Sequence, residues 1–282
     1  MSEILLQAAA KRGVPVPPPP HDEAALAELA VSIFLHPMRG ARRMPRELAY
    51  LETARRRTLR TTAGELAVWE WGAPDAPLIG LVHGWEGHGA QLGAFAAPLA
   101  TAGFRVLAFD APGHGDSPGD EAHVPLVARV LAEIEGETGK FFGFIGHSMG
   151  AAAAALSTRL GPEPRGLVLL APPQSQLERV ERVANRMKLT GGLRESFFAA
   201  LQRRTGASFE DVDMRTLARS APCSLLVFHD PADEDTSFAA TEEIIALWRG
   251  ARLVPVPGRG HYRIVATPEI VRQTVDFIAG LR

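Results

Sequence analysis

Phe141-Phe142-Gly143-Phe144-Ile145-Gly146-His147-Ser148-Met149-Gly150-Ala151-Ala152-Ala153-Ala154-Ala155-Leu156 decides the fold. The apolar run Phe141 to Ile145 reads as a buried strand, and Ala151 to Leu156 reads as a helix. Between them, Gly146 to Gly150 matches G-x-S-x-G. A strand that turns sharply into a helix holds its turn residue in a strained backbone conformation with the side chain exposed. Small residues two before and two after let the flanking backbone pass close. The helix aims its free N–H groups and positive dipole end at the same point. Ser148 is thus presented as a nucleophile, and the Met149 amide can bind an oxyanion formed beside it.

A serine hydroxyl attacks well only when a base takes its proton and a third group holds that base. In a sheet of this kind, acid and histidine follow the serine on loops after later strands. Downstream of Ser148 the histidines are His229 and His261. His229 ends the apolar run Leu225 to Phe228 and reads as a strand-end residue with structural hydrogen bonds. His261 follows the strand-like Leu253 to Val256 in the loop Pro257-Gly258-Arg259-Gly260-His261-Tyr262, a segment suited to delivering an imidazole. The acid comes from His229-Asp230-Pro231-Ala232-Asp233-Glu234-Asp235-Thr236-Ser237-Phe238. Asp230, before proline, suits a turn. Asp233 is the first choice and Asp235 the alternative, with Thr236 or Ser237 capping the next helix.

A second oxyanion donor is expected from His83-Gly84-Trp85-Glu86-Gly87-His88, where Gly84 frees the backbone and the Trp85 amide faces the serine. The Trp85 ring would wall a substrate pocket, with His83, Gly84 and His147 as further lining. No HExxH, CxxC or calcium-loop spacing occurs, so no metal is expected, and no cofactor is called for.

Around this centre the chain alternates strand and helix. Strands are expected at 57–62, 66–71, 78–83, 105–110, 141–145, 166–171, 224–229 and 252–257. Helices are expected at 91–102, 124–136, 149–160, 238–248 and 268–281. The later strands are continuous apolar runs, as in parallel strands covered on both faces, and the alternation predicts an α/β, doubly wound, mostly parallel sheet. Residues 172–222 break the rhythm with three helical stretches and read as a helical cap inserted into a domain spanning 57–282. Residues 1–56 read as an N-terminal tail and helices: a peripheral segment 1–21 with a polyproline stretch at Pro17 to Pro20, then helices at 22–35 and 45–56. The arginines at 39, 42, 43, 46 and 55–57 read as a solvated face.

The composition is that of a globular chain: 282 residues, 46% hydrophobic, 22% charged, net charge −2. Near-neutral charge leaves no footprint for nucleic acid, and no apolar run is long enough for a membrane span. The start MSEILLQAAAKRG lacks the basic region of a secretory signal, and the single Cys223 allows no internal disulfide. A reducing, cytoplasmic setting is expected, with a small-molecule acyl substrate as partner. On oligomeric state the sequence is silent.

Together His83-Gly84-Trp85, Phe109-Asp110-Ala111-Pro112-Gly113-His114-Gly115-Asp116-Ser117, Gly146 to Gly150, the Asp233 loop and Gly260-His261 resemble the α/β-hydrolase fold of serine hydrolases, over roughly 66–282. The resemblance implies an eight-stranded, mostly parallel sheet and an oxyanion hole from the Trp85 and Met149 amides. It also implies a site floor shaped by Asp110 to Ser117, and a Ser148-His261-Asp233 triad that cleaves a carboxylic ester through an acyl-enzyme. The acid loop departs from the family pattern, reading Asp-Glu-Asp-Thr-Ser-Phe where relatives continue with Val-Pro, which keeps Asp235 open. Peptidase or acyltransferase chemistry on the same triad, and a non-catalytic binding protein of the same fold, are the alternative readings.

Overall fold

The sheet is built from runs that are apolar on both faces. In a computed structural model describing residues 3–19, 21–38, 40 and 42–282, eight strands form one sheet. They are β1 Arg55–Thr61, β2 Gly64–Trp71, β3 Leu78–Val82, β4 Arg105–Phe109, β5 Phe141–His147, β6 Gly166–Leu170, β7 Ser224–His229 and β8 Ala251–Pro255. Their order is β1-β2-β4-β3-β5-β6-β7-β8, with β2 antiparallel to both neighbours and every later pair parallel. The helices are α1 Glu3–Arg12, α2 Glu23–Leu35, α3 Pro45–Glu52, α4 Ala96–Thr101, α5 Val124–Thr138 and α6 Met149–Ser157. They continue with α7 Gln176–Arg186, α8 Gly191–Thr205, α9 Met214–Ala218, α10 Phe238–Leu247, α11 Gly260–Arg263 and α12 Pro268–Ala279.

Central β3 and β6 are buried along their whole length, whereas the edges β1 (RRRTLRT) and β8 are half open. That contrast is why the central strands read clearly from sequence and β1 only weakly: an edge strand keeps charges on its open side. Successive β5 residues serve opposite faces. Phe144 packs into a core with α5 and α6, and Ile145 into one with α4 and α12. The strand register then decides where function can sit. Val82 pairs with Gly146, His147 with Leu170, Leu170 with Phe228 and His229 with Pro255, so the loops after β3, β5, β7 and β8 leave one edge together.

Two expectations are corrected. The segment 1–21 is not peripheral throughout: α1 buries Leu5 and Ala9 in a third apolar cluster with α2, α7 and α8, and α2 lies along α8, while Pro15, Val16, Pro18 and Pro19 are exposed. The N-terminal helices therefore join those of the 172–222 stretch. The polyproline stretch keeps no helix or strand through Pro19; Pro20 lies outside the described residues. The arginines are only in part a solvated face: Arg55 and Arg56 are exposed, whereas Arg43 and Arg57 are half-buried against acids. Arg43 reaches Asp110 (2.8 Å) and Asp116 (3.2 Å) and lies over the Trp69 ring. Arg55, Arg57 (3.2 Å) and Arg105 (2.6 Å) converge on buried Glu70. Arg42 and Arg46 are exposed, and Arg39 lies outside the described residues. Arg55 and Arg56 fall in β1, so the expected helix 45–56 ends at Glu52. Among the described residues no helix is long and apolar enough to cross a membrane.

Burial alone would raise the Glu70 pKa, but the hydrogen bonds and charges of Arg55, Arg105 and Arg57 outweigh it and hold the carboxyl below its ordinary value. A depressed carboxyl stabilises the fold above its unfolded pKa, and the contribution is lost as pH falls through the folded value. Glu70→Gln, which leaves the largely buried Arg105 with carbonyl partners but no counter-charge, should cost about 3 kcal/mol in urea denaturation at neutral pH. The deficit should shrink below about pH 4. A deficit that is unchanged in acid would contradict this account.

Candidate active site

Ser148 stands between β5 and α6 at φ 50° and ψ −118°, a conformation disfavoured for any residue with a Cβ. Among the described residues four non-glycines have positive φ, and Glu86, Ser148 and Ala171 among them all lie at this sheet edge. Strain is held there by tight packing. A Cβ on Gly150 would lie 2.1 Å from the Val82 carbonyl oxygen, and one on Gly146 would lie 2.7 Å from the Ala151 Cα. The two small residues thus let α6 start directly against β3. The Ser148 amide donates to the Leu170 carbonyl (3.0 Å), which ties the turn to β6.

The loop after β3 closes over the serine. Gly84 packs on it so closely that a Cβ there would meet the Ser148 Cβ at 3.2 Å. Two buried imidazoles brace this loop. His83 accepts from the Ala111 amide at Nε2 (2.9 Å) and donates from Nδ1 to the Gly84 carbonyl (2.7 Å). His114 accepts from the Glu86 amide at Nε2 (3.0 Å) and donates from Nδ1 to the Pro112 carbonyl (2.9 Å). Each pattern needs a neutral ring. Burial, then the neighbouring His114, pushes the His83 pKa well below its usual value, which keeps the ring neutral. Beneath them Asp110 accepts from the Gly89 and Asp116 amides, both at 2.7 Å. Among the described residues, the Trp85 and Met149 amides have no protein acceptor. A helix leaves its first N–H groups open in this way.

The loops after β7 and β8 meet at a carboxylate–imidazole pair. Asp233 Oδ2 accepts from His261 Nδ1 at 2.8 Å. Its Oδ1 accepts from the amides of Asp235 (2.8 Å) and Thr236 (3.0 Å), and buried His229 lies 3.4 Å from Oδ2. Burial favours the neutral acid at Asp233. The hydrogen bonds from His229, His261 and the Thr236 amide, with the charge of His261, override it and hold the carboxyl far below the usual range. Asp230 serves the turn expected of it, accepting from the Ala232 amide, and also from the Gly260 amide (2.5 Å), which fastens the loop carrying His261. His261 itself sits in α11, a one-turn helix that sequence reading treated as loop. From the other side, His147 Nε2 donates to the His261 carbonyl (2.8 Å), with the two rings 4.9 Å apart. His147 directly precedes Ser148, so this bond brings the pair to the turn. Burial holds the His147 pKa near 3, and its Nδ1 faces the Gly84 position without a partner among the described residues.

His83, Gly84 and His147, expected to line a substrate pocket, are buried and are not among the residues lining the cavity beside the turn. The cavity beside the site, with about 490 Å³ of space partly open to solvent, meets the turn at Trp85 and Met149. Leu35, Val124, Val180 and Leu201 give it apolar walls from α2, α5, α7 and α8, and Arg179 adds a cation. Asp233, Asp235 and His261 have potential ligand atoms within 4.8 Å of one another, but two of those residues already face each other across a hydrogen bond. His229 is the residue whose part sequence reading undervalued: it bonds Thr241 (2.7 Å) as a structural residue would, and also flanks Asp233.

A model described as the alpha/beta hydrolase family matches residues 81–274, more than half of the chain. The chain belongs to that family. A stretch of this hydrolase is 33% identical over 109 residues to a serine hydrolase-like protein of Danio rerio, covering 36% of the chain and 32% of that protein. The match thus spans about a third of the relative's length. Among solved structures, a thermophilic esterase from Thermogutta terrifontis superposes with a TM-score of 0.61 at 23% identity, covering 81% of this chain and 99% of that one. A monoacylglycerol lipase from Paleococcus ferrophilus gives 0.61 at 24% identity, covering 77% and 100%. At such identities the likeness establishes the hydrolase fold.

Gly150→Ala should destabilise the protein by about 3 kcal/mol or more, because the added methyl meets backbone that cannot move. Gly136→Ala, in α5 with nothing within 4 Å, should be neutral or stabilising by up to about 1 kcal/mol. Equal urea midpoints for the two variants would refute the close-packing account of the turn.

Proposed function

We propose that the protein is a serine hydrolase that cleaves a carboxylic ester. Ser148 attacks the acyl carbonyl while His261 takes its proton. The tetrahedral oxyanion is held by the Trp85 and Met149 amides, His261 returns the proton to the leaving alcohol, and water releases the acyl group by the same steps in reverse order. Asp233 keeps Nδ1 of His261 protonated so that Nε2 is the base. The observation that carries this reading is the 2.8 Å bond from His261 Nδ1 to Asp233 Oδ2, with His261 tied by its own carbonyl to the residue before Ser148. The two unmatched amides beside Ser148 support it. Asp233, not Asp235, is assigned as the acid, because the exposed Asp235 gives its amide to Asp233 rather than its carboxylate to His261. Helices α7 to α9 of the 172–222 insertion, together with α1 and α2, act as the cap that walls the acyl pocket.

Hydrolysis of short p-nitrophenyl esters tests the proposal. Ser148→Ala should abolish turnover, and equal rates for variant and wild type would end it. Asp233→Asn should lower kcat on the order of 10⁴-fold by freeing the wrong tautomer, while Asp235→Asn should cost only a few-fold. The reverse ranking would move the assignment to Asp235. Because Asp233 stays charged far into acid, its own protonation should not limit kcat/KM in the mildly acidic range.

A further inference from the structure

Arg179 is the one charged group among the residues lining the cavity beside Ser148 that has no acid partner and no role in the steps above. Its guanidinium carbon stands 4.7 Å from the centre of the Trp85 ring and 5.7 Å from that of Phe34. Other arginines of the insertion meet acceptors: Arg215 holds Asp213 (2.8 Å), and Arg194 holds the Asn185 side chain (2.9 Å). Among the described residues Arg179 has no hydrogen bond and no ion pair. Glu86 is the acid that acts on it most, yet it forms no ion pair with Arg179; its Oε1 accepts from Arg12 (3.0 Å) and from the Met38 amide (3.1 Å). Arg182 and Arg12 add further positive charge around it. Burial lowers the Arg179 pKa to about 10, which still leaves the group a cation at neutral pH.

A half-buried guanidinium against apolar walls loses hydration that nothing in the protein replaces. Stacking on Trp85 fixes its plane but uses none of its five N–H donors. Those donors form a planar fork that suits a carboxylate or a phosphate. Arg179 is packed on the side chain of Trp85, and the amide of that same residue is the proposed oxyanion donor. An anion bound there is therefore held one side chain's reach from the carbonyl under attack.

We infer that Arg179 selects substrates, and that the ester carries a carboxylate or phosphate a short chain away from the scissile carbonyl. The inference rests on the esterase reading for its kinetic arm, and on binding alone for a second arm. In the kinetic arm, kcat/KM is compared for the p-nitrophenyl monoester of glutarate, the matching 4-phosphonobutyrate ester and the neutral p-nitrophenyl valerate. Wild type should favour at least one anionic ester, chiefly through KM. Arg179→Gln should lower the anionic-to-neutral ratio roughly 10- to 100-fold, and Arg179→Lys, which keeps the charge without the fork, should fall between. The anionic ester preferred decides between carboxylate and phosphate. A wild-type ratio near one, or a ratio unchanged in Arg179→Gln, overturns the inference. In the binding arm, glutarate and inorganic phosphate are titrated into Ser148→Ala protein by calorimetry, with and without Arg179→Gln. If no ester is turned over above the Ser148→Ala level, the esterase reading fails while this arm still decides. Binding that disappears with Arg179→Gln upholds the anion site, and no binding to the Arg179 form overturns it.

Discussion

The fold turns on how closely α6 can begin against β3. Gly150 presses on the Val82 carbonyl and Gly146 on the first turn of α6, so the chain reverses at Ser148 in a conformation that a side chain normally avoids. The strain is local, and the sheet carries it. Val82 and Gly146 are paired neighbours deep in the parallel core, where neither backbone can relax without breaking ladder hydrogen bonds. Everything proposed for the site depends on this turn, because it exposes the hydroxyl and leaves the Met149 amide free at a helix start.

Around that point the support is polar and buried. His83, His114 and Asp110 make bonds whose donors and acceptors interlock, and Arg43 arrives from the N-terminal segment to neutralise Asp110. Burial alone would favour the protonated acid at Asp110, and its pKa is raised despite two amide donors and Arg43. Satisfied networks of this kind hold one geometry at a high cost for each missing partner. They fix the loop after β3, so the Trp85 amide keeps its place beside the serine without a flexible search.

The helical cluster beside the cavity is assembled from two distant parts of the chain. Helices α1 and α2 come before the first strand, and α7 and α8 come after β6, yet they share one apolar cluster. Helices α2, α7 and α8 supply part of the cavity wall, and Arg12, at the end of α1, reaches Glu86 beside Trp85. The N-terminal helices thus contact both the cavity and the loop after β3.

Much of this was written in short-range pattern. Phe141 to Leu156 specified strand, turn and helix by itself, because the period of apolar residues and the small residues around Ser148 act within a few positions. The same holds for the apolar runs of β3 to β7. What local pattern could not specify depends on partners far along the chain. Arg43 meets Asp110 across 67 residues, and Arg57 meets Glu70 across 13, so these arginines looked like a surface until the fold brought their acids to them. Helix α1 is short, and its burial exists only once α2 and α8 are in place. Asp233 and Asp235 are equivalent as sequence; the backbone turn that points one carboxylate at His261, and the β7–β8 register that brings the two loops level, belong to the folded chain alone. Residue types and their order determined the fold and the candidate nucleophile. Packing between distant segments decided which acid meets the histidine and which cation faces the cavity, because those choices are settled by ångströms that no local pattern encodes.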